Sequence, residues 1–402
     1  MKRFSYYYLK IQSAWLSGTL FEKSLRFLTV MICLPIEVLI GYMRLSKADR
    51  RLNIKSGFSD HRHESYHHRA NPEHLRRIIS SYKASKNAQV NAAKPFEIKG
   101  LWAEWISINY KKLILALESE NIDELSCIFE NIFREECTIG TGGYDDYRRY
   151  RTLLGGFYIK YVWCKYRDLL SSLGFNIEKI DFPHIGNQTG VIMNGKVIAH
   201  STLRHAYHAV EMNNLFCDTP KSNIVEIGSG LGGQAHQALL MNKKISKYIL
   251  FDIPEVAVIS SYFLLSSFPN KKVRLFGEGL ISANSSEEYD IGIFPHFSID
   301  ELSSLSVDLF YNSCSFSEMD SESSREYLSI IERVGRKYFM HDNHDAIFEF
   351  KNPDGSTSSN IIGSELIPDS ELFQRVYKKP RVHGLPEDRS FVHYEYLYER
   401  IS

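Results

Sequence analysis

The sequence predicts an α/β protein: a doubly wound parallel sheet fills the C-terminal half, and a mainly α-helical N-terminal domain precedes it. Three observations carry this. Short β-branched and aromatic runs alternate with helical stretches from Ile224 to Met340, a glycine-rich turn closes the first of these runs, and the chain before them shows helical rather than strand spacing. Strand and helix in turn is the pattern of βαβ units, whose crossover helices cover both faces of one sheet.

With 402 residues, 44% of them apolar, the chain exceeds one typical domain. The expected division is residues 1–60 as an apolar and basic segment, 61–200 as a helical accessory or substrate domain ending in a β-hairpin, and 201–402 as the sheet domain. The apolar run Leu25 to Met43 starts too late for a signal peptide and has no small-residue cleavage site. It falls short of the ~20 apolar residues of a spanning helix and carries Pro35 and Glu37. Its flanks Lys23, Arg26, Arg44, Lys47, Arg50 and Arg51 suit an interfacial helix on an anionic leaflet, while burial within the N-terminal domain fits its hydrophobicity equally. A cytoplasmic protein is expected, with the inner face of the membrane as the one surface it would touch. His61, His63, His67 and His68 surround Glu64 without apolar periodicity, and a polar linker is expected there rather than a metal site.

Helical spacing then covers Pro72 to Tyr82, Trp102 to Leu117, Ile122 to Phe133 and Gly156 to Leu173. Gly140-Thr-Gly-Gly143 lacks the Gly-Lys-Ser/Thr of a phosphate loop and reads as a plain turn. Asn194-Gly195 between β-branched runs predicts a hairpin over Val191 to Ile198. A helix from Leu203 to Phe216 leads into strands at Ile224–Ile227, Tyr248–Phe251, Val273–Phe276, Ile291–Phe294, Leu309–Tyr311 and Tyr338–Met340, with helices near Gly232–Met241, Glu255–Phe268 and Ser323–Val334. Either Val273–Phe276 or Ile291–Phe294 serves as third core strand. Phe373–Lys378 and Phe391–Tyr398 suit an antiparallel hairpin at one edge.

Lys plus Arg equals Asp plus Glu, at 48 each, so no basic footprint calls for nucleic acid. Cys33, Cys127, Cys137, Cys164, Cys217 and Cys314 show no zinc-ligand spacing and read as reduced thiols.

The central feature is Val225-Glu-Ile-Gly-Ser-Gly-Leu-Gly-Gly233, a strand feeding a glycine turn that opens a helix. Glycines allow a tight turn and close backbone approach, and a helix N-terminus favours carboxylate or phosphate. Gly228, Gly230 and Gly233 also satisfy the dinucleotide fingerprint, so an NAD(P)-dependent oxidoreductase is a competing reading, although no Tyr-xxx-Lys signature accompanies it. Asp252, ending the next strand, can accept hydrogen bonds from ribose hydroxyls in either case, whereas Glu226 before the first glycine tilts toward S-adenosylmethionine.

Glu226-Ile-Gly-Ser-Gly-Leu-Gly-Gly233, Phe251-Asp-Ile-Pro-Glu-Val256 and Asp308-Leu-Phe-Tyr-Asn-Ser-Cys-Ser-Phe-Ser-Glu-Met319 together resemble, in order and spacing, the sugar O-methyltransferases of bacterial surface-polysaccharide clusters. The resemblance spans about Pro183 to Met340, and Asn312 to Met319 is its most specific part; Ser229 departs from the glycine more often found there. It implies a Rossmann-like class I methyltransferase sheet, S-adenosyl-L-methionine bound through Glu226, Gly228, Gly230, Gly232, Asp252 and Asn312, and a sugar or glycan-precursor acceptor, lipid-linked or nucleotide-linked.

A sugar hydroxyl is a weak acid, so methylating it needs a general base or a metal. Candidates follow the strand ends. Glu318, His344 and His341 are the base candidates, imidazole being suited by its titration range. The alternative gathers Glu318, Asp342 and Asn343 around Mg²⁺; it is not favoured, because Asn312 stands where a metal-dependent catechol-type enzyme would place Asp. His296 is an outside candidate, Asp320 and Ser321 are expected to cap a helix, and Arg204 and Tyr207 either face the cofactor's carboxylate or adenine or belong to ordinary helix surface and core. A third reading is a non-catalytic methyltransferase-like subunit, against which Glu226, Asp252 and Glu318 together argue.

Overall fold

The computed structural model describes residues 36, 39–52, 69–150, 152–193, 196–199, 201–217, 219, 221–283, 289–347, 349–351, 355–381 and 393–402. The expectations for His61 to His68, for most of the run 25–43 and for Asn194-Gly195 themselves lie outside these residues.

The helical part contains α1 (Pro72–Gln89), α2 (Gly100–Asn109), α3 (Lys111–Glu118), α4 (Ile122–Phe129), α5 (Tyr144–Tyr150) and α6 (Leu153–Ser172). Local chemistry sets the starts: Asn71 accepts from the Glu73 N–H ahead of Pro72, and Thr152 accepts from the Gly155 N–H. The single helix expected from Trp102 to Leu117 is two, broken at Tyr110, which is fully buried. The two pieces face different surroundings: α3 buries Leu113, Ala116 and Leu117, while α2 buries none of its residues. Strands β1 (Gly190–Met193) and β2 (Lys196–Ala199) pair antiparallel with Met193 opposite Lys196, the register of a two-residue hairpin.

The main sheet comprises β3 (Ser222–Ile227), β4 (Ile245–Asp252), β5 (Val273–Leu275), β6 (Ile291–Pro295), β7 (Val307–Ser313), β8 (Gly335–His344), β11 (Phe373–Pro380) and β12 (His393–Arg400); β9 (Glu349–Lys351) and β10 (Thr357–Ser359) form a separate pair. Its order is β11-β12-β8-β7-β3-β4-β6-β5. Neighbours from β5 to β8 are parallel, while β12 runs antiparallel to both β8 and β11. This is the doubly wound, Rossmann-like sheet expected of a class I methyltransferase, with a hairpin closing one edge. Both candidates for third strand are present: Ile291–Pro295 lies beside β4, and Val273–Leu275 is pushed out to the edge.

Alternation along the strands feeds two cores. Ile224 and Leu250 join the face under α7 (Thr202–Leu215), α8 (Gly233–Met241) and α9 (Pro254–Ser267), whereas Val225 and Ile249 join the face under α10 (Ser321–Val334). The first core is continuous with Leu75, Leu113, Leu125 and Trp163 of the helical part. The helices therefore pack as one body with the sheet and bring their loops to its carboxyl end. Among the described residues no helix is long and apolar enough to cross a membrane.

Candidate active site

At the carboxyl ends of β3, β4 and β7 lies a cleft that opens to solvent and is lined from the sheet, the loop after β7 and the helical part of the chain. Its floor is the glycine turn. Gly228 takes φ +74° and sits so close to the loop after β7 that a Cβ there would collide with the Ser315 side chain. Gly230 leaves room for Thr141 at 3.5 Å from where its Cβ would stand, and Gly232 caps α8.

Asp252 ends β4 at the rim. Its two carboxylate oxygens accept from the Gly230 and Ile253 N–H groups, each at 2.8 Å. The Ser229 hydroxyl and N–H also act on this carboxylate as donors. Burial pushes its proton affinity up to about 7, opposed by those backbone N–H groups.

Glu318, on a short 3₁₀ turn after β7, faces the same space from the other wall. Its Oε2 accepts from the Trp102 indole at 3.1 Å. Burial raises its pKa to about 8, with the Cys314 side chain adding to the rise and the indole N–H opposing it. A carboxylate that takes up a proton in the neutral range is equipped for general base chemistry.

The remaining expected residues stand elsewhere. Glu226 is buried beneath the turn, where the Tyr248 hydroxyl donates to it at 2.9 Å; burial raises its pKa to about 8, and it does not line the cavity. Asn312 is also fully buried: its amide donates to the Ile227 carbonyl at 2.9 Å, and its oxygen accepts from Asn343 at 2.8 Å. Both tie the sheet together beneath the turn, and neither lines the cavity.

His341 to Asn343 were expected on a loop, yet β8 continues through His344 because β12 pairs with it to that point, His393 opposite His344. His341 is stacked on Tyr396 at 4.6 Å, fully buried, with its pKa driven down to about 3 by burial. His344 accepts from the Ala346 N–H at 3.2 Å, and burial lowers its pKa to about 4. Neither ring lines the cavity, contrary to what a base there requires, whereas Glu318 does line it. The magnesium alternative fails on placement: Asp342 is paired with Arg381 at 3.0 Å, Asn343 accepts from the Ser317 N–H at 3.1 Å, and only Glu318 reaches the cavity. Among the described residues no group of three acidic, histidine or cysteine side chains is placed to hold a metal.

No family model matches the chain, and no curated protein matches it. Among solved structures it is similar to the N-terminal domain of EvdMO1 with SAH bound (TM-score 0.34, 10% identity, 59% of this chain and 97% of that one). It is also similar to an S-adenosylmethionine-dependent methyltransferase from Mesorhizobium loti (TM-score 0.29, 11% identity, 47% and 96%) and to a SAM-dependent methyltransferase from Aquifex aeolicus (TM-score 0.31, 12% identity, 50% and 93%).

The cavity also contains residues that sequence reasoning did not find. Pro95 to Lys99 and Trp102 form one wall, and Gly140 and Thr141, expected as a plain turn, form another. Phe96 is pinned there by His296, whose Nε2 donates to the Phe96 carbonyl at 2.8 Å, and Ser323 donates to the Pro95 carbonyl at 2.6 Å. His296 thus lines the cavity as a wall; burial takes its pKa down to about 4, which keeps it neutral. Arg204 donates to Ser313, a lining residue, at 3.3 Å, while the Tyr207 hydroxyl turns away to Glu395 at 3.1 Å. Asp320 caps α10 as expected, accepting from the Glu322 and Ser323 N–H groups.

Proposed function

We propose that the protein is an S-adenosylmethionine-dependent O-methyltransferase acting on a sugar hydroxyl of a glycan precursor. The observation that supports this best is the joining, in one cavity, of the glycine turn and Asp252 on one side with Glu318 on the other. The lining fits the cofactor: a position without a side chain at Gly230, the Asp252 carboxylate at the strand end for a ribose diol, and apolar walls from Phe96, Ile253 and Tyr327 for a flat base. When bound, the cofactor supplies an electrophilic methyl group carried on a sulfonium.

The chain's own residues do the rest. Trp102 and Trp105, edge to face at 5.2 Å, offer an indole surface on which the C–H face of a pyranose can lie. Glu318 has Oε2 engaged by Trp102, so Oε1 is the oxygen free to take the acceptor's proton as the hydroxyl oxygen forms its bond to carbon.

A membrane-adjacent acceptor belongs to the same proposal. Ile36, Leu39, Ile40 and Met43 are exposed beside exposed Arg44, Lys47, Arg50 and Arg51, a pairing suited to shallow contact with an anionic leaflet. Sedimentation with phosphatidylglycerol vesicles but not with phosphatidylcholine ones would support that contact; equal recovery in both supernatants would remove it.

The activity is tested by incubating the chain with S-adenosylmethionine labelled in the methyl group and a panel of nucleotide-linked and lipid-linked saccharides. Label should pass to a saccharide with wild type and not with Glu318→Gln. Label reaching only a protein, nucleic acid or amine acceptor would overturn the sugar reading.

A further inference from the structure

Helix α2 is rich in apolar residues (Gly100-Leu-Trp-Ala-Glu-Trp-Ile106), yet it buries none of them fully in either core. Its neighbours α1, α3 and α4 each do so. What α2 does instead is present Trp102 to the cavity, 216 residues from Glu318 in sequence and 3.1 Å from it in space.

That contact has one chemical sense. An indole N–H can only donate, so it favours the ionised carboxylate over the acid and engages one oxygen of the two. The ring is also held from behind: Trp105 packs edge-on against it, and Trp105 has its place because residue 140 is glycine, where a Cβ would collide with the Trp105 ring. The Gly140-Thr141 turn touches the cavity on its other side. The turn, Trp105 and Trp102 thus form a continuous support ending at Glu318.

We infer that Trp102 is a positioning residue for Glu318, selecting which carboxylate oxygen meets the acceptor and holding the group toward its ionised form. The inference rests on the assignment of Glu318 as base; the contact itself does not. It makes the helical part of the chain a component of the proton-transfer apparatus rather than a substrate-binding appendage. The other charged or titratable groups that face Glu318 are Cys314 from the loop after β7, Asp252 from the end of β4 and Asp145 from α5, and all three disfavour its ionisation. Lys99 lines the same cavity but is drawn to Glu97 at 3.5 Å and Glu322 at 3.9 Å. The indole N–H is therefore the one direct hydrogen bond to the carboxylate among the described residues.

The test is a nuclear magnetic resonance titration of the full chain labelled with ¹³C at the glutamate carboxyl carbon and ¹⁵N at the indole nitrogens, with the Glu318 signal identified by its loss in Glu318→Gln. In wild type, one carboxyl signal and one indole N–H signal should titrate together near pH 8, and the indole shift should become pH-independent in Glu318→Gln. In Trp102→Phe the carboxyl midpoint should move upward by roughly one pH unit, the scale of one charge-assisted hydrogen bond. An unchanged midpoint in folded Trp102→Phe, or a wild-type spectrum with no indole signal following the carboxyl, overturns the inference. Should Trp102→Phe not fold, the wild-type and Glu318→Gln spectra decide alone. Calorimetry with S-adenosylhomocysteine on the same samples separates the two readings: absence of binding would fail the proposed function while leaving the coupled titration standing.

Discussion

The carboxyl ends of β3 and β4 and the carboxyl end of β8 are both rich in polar residues, and only the first pair opens onto the cavity. β3 and β4 stop at Ile227 and Asp252, where the chain turns away and leaves backbone and carboxylate facing free space. β8 has an antiparallel partner in β12 as far as His344, so His341, Asp342 and Asn343 are absorbed into a stack, an ion pair and an amide ladder. A polar residue near a strand end is thus available for chemistry only if the neighbouring strand ends with it. Otherwise burial forces each polar group to find a partner inside the protein.

Substitutions at the two ends should therefore separate chemistry from stability. The largest effect belongs to Glu318→Gln, which should lower methyl transfer by roughly 10²–10⁴-fold, the usual worth of a general base, with S-adenosylhomocysteine affinity retained. His341→Phe, which preserves the stack, should leave transfer near wild type; a comparable loss in both would erase the contrast. Next comes Arg381→Ala, which strands the buried Asp342 carboxylate and should cost about 3–5 kcal/mol in denaturant unfolding, as breaking one side of a buried ion pair does. Retention of full stability would mean that Asp342 finds another partner or takes a proton.

Gly228→Val brings a branched side chain to a position at φ +74° and against Ser315, and about 1–3 kcal/mol of strain at the turn should appear as weaker S-adenosylhomocysteine binding in calorimetry. Unchanged affinity would detach the turn from the cofactor.

A further effect is pH-dependent. His341 has a folded pKa near 3, below its ordinary value of 6.5, so between those values the unfolded chain binds a proton that the folded one does not. Stability is then fully present above about pH 6.5 and is lost as pH falls toward 3, with a slope that cannot exceed about 1.4 kcal/mol per pH unit from this one group. Urea unfolding of His341→Phe from pH 7 to pH 4 should show a shallower decline than wild type; equal slopes would place the titration elsewhere.

The same contrast explains what could be read from sequence. The glycine turn, Asp252 and Glu318 each sit at a strand end whose signal is local, a β-branched run followed by glycine or polar residues, and the structure brings these residues to one cavity. The extent of β8 could not be read that way, because β12 lies about fifty residues further on and its pairing decides where β8 stops. The order of β5 and β6 was equally non-local: both runs look like core strands, and only packing puts Ile291–Pro295 inside. Trp102, Phe96 and Thr141 had no local mark: Trp102 packs against the core that docks the helices onto the sheet, Phe96 belongs to the core on the sheet's other face, and Thr141 arrives with its turn. One hint was present in Gly140, a glycine in a turn without phosphate-loop residues, whose freedom from a side chain is needed for Trp105.

The central claim is that the β3–β4 end of the sheet holds S-adenosylmethionine, and isothermal titration calorimetry of the full chain with S-adenosylhomocysteine and, separately, NADH tests it most directly. The homocysteine compound should bind with a dissociation constant in the micromolar range, about −8 kcal/mol, and Asp252→Ala should abolish that binding, while NADH should give no heat. Binding of NADH alone, or homocysteine-compound binding indifferent to Asp252, would contradict it.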